Sequence, residues 1–388
     1  MEITEYENKS EILEDDDLSP MINMNIQKTC DDTHTDNLGV CRYNNIMGVT
    51  CYMNSILHIL QQIPLFVKYI YDFEFKQILL NKIKGTNKTI KDYVIYGLHC
   101  LFKTSLNNNN LIINPDKFKS LIGEKNDMWD ELNHQDSQEF FNFLISQIKE
   151  EVGIKINFNP NIYFEYGANR LVPDSITNLI ANNALTIYES HEYSQLTKMF
   201  DGLYENTCSC KYCYTTNIKF EPFLTLAIDI TSRNDLYDCL DDLCCEQQLD
   251  MDNIITCGFC GLQNQAFKKC LLWKTPKILV IHIKRFGIME QKITTNVTYP
   301  IKDLDLSNYI DQNSPFKLYC KYDLIGINLH QALGYCQNIN AGHYTSIIKN
   351  RLNNNWYLYN DSEEPELIYN KKDLQSSDAY LLFYYRHN

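Results

Sequence analysis

Apolar residues recur at helical spacing in two stretches of the first half of the chain. The first stretch runs from Gly48 to Gln62 and has its apolar side chains at i, i+3, i+4 and i+7: Met53, Ile56, Leu57 and Leu60. The turn Gly48-Val-Thr stands directly before Cys51. The pattern predicts a helix that begins at Cys51. There the unpaired N–H groups and the helix dipole favour a thiolate.

The second helical stretch begins with the signature of a helix cap. Asp136 is followed three residues later by Glu139, and then by an apolar stripe: Phe141, Leu144, Ile145 and Ile148. An acceptor at the first position with Glu three residues on is typical of a helix start. This pattern predicts a helix from about Asp136 to Glu151.

Beyond about Ile156 the pattern changes to short apolar runs separated by polar turns, which predicts strands. The predicted strands are Glu221 to Ile230, Pro276 to Phe286, Tyr322 to Asn328, His343 to Lys349, Trp356 to Asn360 and Ala379 to Arg386. Helices first and strands later predict an α+β fold with a cleft between the two parts.

Composition and charge narrow the class of protein. The 388 residues are 44% hydrophobic, which suffices for a sizeable core. Residues 1–40 carry 11 acidic and 2 basic side chains, a net of −9 out of −14, so a disordered acidic tail is expected there. The acidic balance disfavours a nucleic-acid partner. Without a signal peptide or an apolar run of about 18 residues, no membrane role is expected, and we expect a cytoplasmic or nuclear protein.

Two Cys-x-x-Cys pairs predict a structural zinc site. They are Cys210-Lys-Tyr-Cys213 and Cys257-Gly-Phe-Cys260. Each pair at this spacing can occupy two corners of a tetrahedron around Zn²⁺. The alternatives are chance pairing in a chain of 15 cysteines and a nucleic-acid-binding zinc module, which the charge disfavours.

A lone cysteine near a helix is ordinarily a buried apolar residue. To act as a nucleophile it needs a base and a group that orients the base, so those residues decide the interpretation of Cys51. His343 opens a predicted strand after a polar loop, and Gly342 beside it would let a substrate backbone approach. The next predicted strand ends at Asn360 and Asp361. A hairpin of these strands would bring Asn360 or Asp361 alongside His343, where either can accept the imidazole N–H.

These motifs resemble the ubiquitin-specific proteases. Gly48-Val-Thr-Cys51-Tyr-Met-Asn-Ser resembles their cysteine box, and Gly342-His343-Tyr344 with Trp356-x-x-x-Asn360-Asp361-Ser362 resembles their histidine box. Further similar segments follow in family order, over about Arg42 to Arg386: His134 to Phe140, Phe200-Asp-Gly202, Pro276 to Phe286 and Ala379 to Tyr385.

The resemblance implies a papain-like architecture in a catalytic domain of residues 41–388. A helical thumb would occupy 41–152, zinc-bearing fingers of β-ribbons about 200–275, and a β palm about 276–388. Cys51 would be the nucleophile, His343 the general base, Asn360 the residue that orients it and Asp361 a supporting group. The implied reaction is hydrolysis of the bond after the C-terminal glycine of ubiquitin. The implied partners are ubiquitin or ubiquitinated proteins, and we expect a monomer.

The chain departs from the family pattern just before the cysteine. The family has Asn-x-Gly there, with an Asn that stabilises the oxyanion, whereas Ile46 holds that position here. Asn45 lies one residue too early and can serve only if the loop bulges. His134 replaces a glutamine of the family pattern. Two alternatives therefore stay open: a catalytically weak or inactive ubiquitin-binding pseudoenzyme, and a hydrolase of a ubiquitin-like modifier.

Overall fold

The computed structural model describes residues 40–107, 111–155, 174–191, 193–250, 253–286, 292–332 and 342–387. The acidic tail expected over residues 1–40 lies outside these ranges except for its last residue. Among the described residues, no helix has both the length and the apolar character that crossing a membrane requires.

The described helices lie mostly in the first half of the chain. They are α1 (Cys51–Leu60), α2 (Pro64–Tyr71), α3 (Lys76–Ile83), α4 (Val94–Asn107), α5 (Asp116–Gly123), α6 (Ser137–Val152), α7 (Asp174–His191), α8 (Gln195–Phe200) and α9 (Leu236–Cys244).

The strands lie mostly in the second half. They are β1 (Arg42–Tyr43), β2 (Ile112–Ile113), β3 (Gly202–Cys210), β4 (Thr216–Phe223), β5 (Leu226–Asp229), β6 (Gln247–Gln248), β7 (Ile255–Thr256), β8 (Gln263–Asn264), β9 (Ala266–Lys274), β10 (Ile278–Lys284), β11 (Leu304–Asp305), β12 (Lys321–Ala332), β13 (Gly342–Lys349), β14 (Trp356–Tyr359), β15 (Glu366–Ile368) and β16 (Ala379–Arg386).

Two larger sheets hold most of these strands, and β1 pairs with β2 separately. An eight-stranded sheet has the order β15-β14-β13-β12-β16-β10-β5, with β11 pairing on β12. A four-stranded sheet has the order β4-β3-β9-β6, and β7 and β8 form a separate hairpin. The predicted strand from Glu221 to Ile230 is two strands, because β4 pairs with β3 in the smaller sheet and β5 pairs with β10 in the larger one.

Both predicted helices are confirmed. α1 begins at Cys51, and all ten of its residues are buried. α6 begins after Asp136, whose side chain accepts hydrogen bonds from the backbone N–H groups of Gln138 and Glu139. That cap satisfies two of the N–H groups that a helix start leaves unpaired.

Three of the described helices, α7, α8 and α9, also lie beyond residue 156, where the pattern predicts strands. α7 covers the smaller sheet, where Ala181 packs with Leu203, Phe220 and Trp273. Its packing residues Ile180, Ala181, Ala184 and Leu185 have helical spacing. The two Asn side chains between them have weak helix propensity, so the tertiary contact stabilises this helix more than its local sequence does.

A buried polar network holds α1 between α6 and the large sheet. Asn328 on β12 is fully buried. Its Oδ1 accepts from the hydroxyl of Ser137 at 2.8 Å, and its Nδ2 donates to the hydroxyl of Ser55 at 2.9 Å. Because buried polar groups are costly when unpaired, this network favours one position of α1 relative to β12 and α6.

Candidate active site

Cys51 is the first residue of α1 and follows a loop with an unusual backbone. Met47 has φ 51° and Gly48 has φ 77°, so two successive residues adopt left-handed conformations. The Oδ1 of Asn45 accepts from the backbone N–H of Thr50 at 2.7 Å, and the Thr50 hydroxyl accepts from the N–H of Ile46 at 2.9 Å. These bonds close the loop over residues 45–50 and hold Cys51 at the helix start.

His343 is the second residue of β13, and both polar residues after β14 lie beside it. Its Nε2 is 2.6 Å from the Oδ1 of Asn360 and 3.6 Å from the Oδ2 of Asp361. The predicted turn between the two strands is present, with the N–H of Asn350 donating to the carbonyl of Asn355 at 2.7 Å.

The imidazole of His343 also interacts with Cys51. A hydrogen bond with the Cys51 side chain is the main cause that raises the pKa of His343 to about 9; burial opposes this rise, and the bond to Asn360 adds to it. Since Nε2 faces Asn360, Nδ1 is the ring nitrogen left for the thiol. The pKa of His343 therefore depends on the Cys51 side chain and on its 2.6 Å contact with Asn360.

Asp361 connects three segments of the site. Its Oδ1 accepts from Nδ2 of Asn54 on α1 at 2.7 Å, and its Oδ2 accepts from Nδ2 of Asn45 at 2.9 Å. Its carbonyl accepts from the N–H of Tyr43 at 3.1 Å. Burial raises the pKa of Asp361, while the bond from Asn54 and the charge of His343 lower it. The carboxylate thus joins the cysteine loop, the cysteine helix and the histidine strand.

Two residues of the site were not singled out from the sequence. Asn54 lies three residues after Cys51, so helical spacing alone could have placed it near the cysteine. Glu363 accepts from Nδ2 of Asn360 at 2.7 Å. Its contact depends on the turn after β14, which no spacing in the sequence reveals.

The interpretation of Gly342 is wrong. A Cβ at Gly342 would lie 2.1 Å from the Nε2 of His330 and 2.9 Å from the carbonyl oxygen of Gln331. The neighbouring strand therefore fills the space that was expected to admit a substrate backbone. Glycine at this position is explained by the ring of His330 beside it.

The histidine on α1 lies away from the reactive centre. His58 is fully buried, and its ring lies 5.0 Å from that of Tyr43 and 5.1 Å from that of Tyr359. Burial lowers the pKa of His58 to about 3. It is a neutral packing residue at ordinary pH.

The four cysteines of the two Cys-x-x-Cys pairs lie together beside the turn between β3 and β4. The Sγ atoms of Cys210 and Cys260 are 3.9 Å apart, and those of Cys213 and Cys257 are 3.6 Å apart. All four sulfurs lie within 4.8 Å of one another. A tetrahedral ion with Zn–S bonds of about 2.3 Å requires sulfurs about 3.8 Å apart. The cluster is compatible with a zinc site.

Comparisons with known proteins agree on one family. The family model described as "Ubiquitin carboxyl-terminal hydrolase" matches residues 41–384. "Ubiquitin carboxyl-terminal hydrolase 2" of Bos taurus is 27% identical over 345 residues, which cover 87% of this chain and 54% of that protein. The Gallus gallus protein of the same name is 29% identical over 346 residues, covering 87% of this chain and 91% of its own length.

A similar fold occurs in a solved structure of the SAGA Ubp8/Sgf11/Sus1/Sgf73 DUB module bound to ubiquitin aldehyde. The matching chain has a TM-score of 0.65 and 23% identity, and the match covers 92% of this chain and 71% of that one. This likeness confirms the predicted α+β fold. The chain spans about half the length of the mammalian relatives it matches.

Proposed function

Because the chain belongs to the ubiquitin carboxyl-terminal hydrolase family, we propose that it is a cysteine hydrolase that cleaves the peptide or isopeptide bond after the C-terminal glycine of ubiquitin. The observation that carries this proposal is the 2.6 Å contact between His343 and Asn360, together with the effect of the Cys51 side chain on the pKa of His343. A nucleophile, a base and an orienting group in this order are what acyl transfer requires.

In the proposed reaction, the Cys51 thiolate attacks the carbonyl carbon of the terminal glycine. The imidazolium of His343 gives its proton to the departing amine, and a thioester to Cys51 remains. Neutral His343 then takes a proton from water, which attacks the thioester and releases the carboxylate and the thiol. Asn360 accepts the Nε2 hydrogen throughout, and Asp361 supports it from 3.6 Å.

Asn45 is proposed as the oxyanion donor in place of the family asparagine. The left-handed backbone at Met47 and Gly48 takes up the additional residue of the loop. One hydrogen of the Asn45 amide goes to Asp361, and an amide nitrogen carries two. The second has no acceptor among the described residues and can bind the oxyanion. Asn45→Ala should then lower kcat by about 10²- to 10³-fold.

Zn²⁺ is proposed as a structural ion held by Cys210, Cys213, Cys257 and Cys260. Four thiolates close the coordination shell and leave no open position for chemistry. The ion would join the turn after β3 to the β7–β8 hairpin.

The partner and the division of the chain are proposed on the same basis. Ubiquitin is the partner suggested by the DUB module, which is bound to ubiquitin aldehyde. The catalytic domain would span 41–388, with a thumb over 41–152, fingers over about 200–275 and a palm over about 276–388. The protein would act as a monomer in a reducing compartment, without a nucleic-acid or membrane partner.

A ubiquitin probe with a reactive C-terminus tests the activity. A covalent adduct should form on Cys51, and Cys51→Ala should abolish it. Cys245→Ala is the matched control, because Cys245 is an exposed cysteine outside the site. Binding of ubiquitin without an adduct would refute the hydrolase and favour the pseudoenzyme; an adduct only with a ubiquitin-like modifier would reassign the substrate.

Metal analysis tests the zinc site. We expect about one equivalent of zinc per chain, and its loss in Cys210→Ser/Cys257→Ser. Cys208→Ser/Cys270→Ser removes two nearby cysteines outside the cluster and should retain the metal. Zinc retained in the first double variant would refute the ligand assignment.

A further inference from the structure

A carboxylate in the turn after β14 faces Asn360. The N–H of Glu363 donates to the carbonyl of Asn360 at 2.9 Å, which closes a four-residue turn. Within it Asp361 has φ 48°. The Oε2 of Glu363 accepts from Nδ2 of Asn360 at 2.7 Å. The turn therefore folds the Glu363 side chain back onto the residue that contacts His343.

We propose that Glu363 is a positioning residue that fixes which end of the Asn360 amide faces His343. The proposal rests on the proposed function, in which Asn360 orients the imidazole. An asparagine amide has an accepting oxygen and a donating NH₂ group, and rotation by half a turn exchanges them. An aspartate would present an acceptor in either orientation, so only asparagine needs this selection.

Glu363 makes the selection because an ionised carboxylate only accepts hydrogen bonds. It holds Nδ2 of Asn360 on its own side, and Oδ1 then points to the Nε2 of His343 at 2.6 Å. In the opposite orientation, NH₂ would meet the imidazole N–H, and an oxygen would meet the carboxylate. Both contacts would be repulsive.

The turn has a second contact that stabilises it independently. Arg42 on β1 pairs with Glu364 at 2.8 Å and donates to the carbonyl of Ser362 at 3.2 Å. Glu364 is exposed and pairs with Arg42, so its removal perturbs the same turn without touching the bond between Glu363 and Asn360. Glu364→Ala is therefore the matched control for Glu363→Ala.

Steady-state hydrolysis of a ubiquitin C-terminal amide tests the selection. Glu363→Ala should lower kcat by roughly 3- to 10-fold with KM unchanged, which is the effect of one weakened hydrogen bond, and Glu364→Ala should change kcat less than twofold. Equal effects of the two variants would overturn the proposal.

A sharper test asks whether a replacement of Glu363 can raise kcat in one background although another replacement lowers kcat in the wild type. Asn360→Asp places two carboxylates opposite each other, and Glu363→Gln in that background supplies an NH₂ donor between them. Glu363→Gln should therefore raise kcat in the Asn360→Asp background, whereas Glu363→Ala lowers it in the wild-type background. A decrease in both backgrounds would indicate a merely structural role and refute the selection.

The state of His343 provides a readout that does not need ubiquitin. NMR titration of the His343 imidazole across pH reports its pKa directly. Glu363→Ala should lower this pKa, and Glu364→Ala should leave it in place. If wild-type protein fails to hydrolyse the ubiquitin substrate, the proposed function fails, while an unmoved pKa in Glu363→Ala refutes the positioning role alone.

Discussion

Replacing Lys149 with methionine should strongly destabilise the protein, because it leaves a buried carboxylate without its cation. Lys149 near the end of α6 pairs with Asp201, which lies between α8 and β3. Their exposed fractions are 5% and 3%. The hydroxyl of Tyr188 on α7 donates to the other carboxylate oxygen at 2.9 Å. Lys149→Met keeps much of the side-chain volume and removes only the cation.

The expected cost is about 3–5 kcal/mol in the free energy of unfolding, the typical result of breaking a buried pair by removing one partner. The matched control is Lys219→Met. Lys219 pairs with Glu221, but these side chains are 72% and 43% exposed. An exposed pair contributes about 0–1 kcal/mol, so the same substitution should cost less than about 1 kcal/mol there.

Urea unfolding followed by tryptophan fluorescence measures the stability of both variants. If the m-value is the same as in the wild type, the shift of the unfolding midpoint gives the change in stability. The deficit of Lys149→Met should also depend on pH. Burial raises the pKa of Asp201, and loss of the cation raises it further. The loss in free energy of unfolding is therefore complete above the pKa of Asp201 in the folded variant, where the carboxyl is charged. It disappears as that carboxyl is protonated, so the loss should be smaller at pH 5 than at pH 8. Equal costs for the two lysine variants would refute the reasoning.

Three other measurements test separate features. Burial raises the pKa of Glu205 from 4.5 to about 7, so Glu205→Gln should add about 1–3 kcal/mol of stability at pH 8 and almost none at pH 4.5; an equal gain at both would contradict this. Gly342→Ala should lower the free energy of unfolding by about 1–3 kcal/mol, because the added Cβ overlaps His330. Gly258→Ala, with nothing within 4 Å of its Cβ, should lower it less when thermal melts of both variants are compared. With the pKa of His343 near 9, kcat/KM for the ubiquitin amide should fall above about pH 9, and a fall centred near pH 6.5 would exclude the interaction with Cys51.

The local sequence pattern was sufficient to predict the elements that are stabilised by residues close to them in the sequence. The helix at Cys51 and the helix after Asp136 have apolar stripes and a start signal within a few residues, so their first residues could be predicted. The two Cys-x-x-Cys pairs were similarly readable, because ligand spacing within each pair is a local property. α7 was missed, because its packing face has a partner only once the smaller sheet is formed.

The sequence by itself determined which residue types are available for the chemistry: Cys51 at a helix start, His343 at a strand edge, and Asn360 and Asp361 after the next strand. Only the tertiary structure decided how they are used. The turn after β14 brings Asn360 to His343 and Glu363 to Asn360, while Asp361 joins Asn45 and Asn54 across more than 300 residues. A side-chain hydrogen bond forms only if the distance between donor and acceptor is correct to within a few tenths of an ångström and their directions match. The packing of α1 against the large sheet sets these distances and directions.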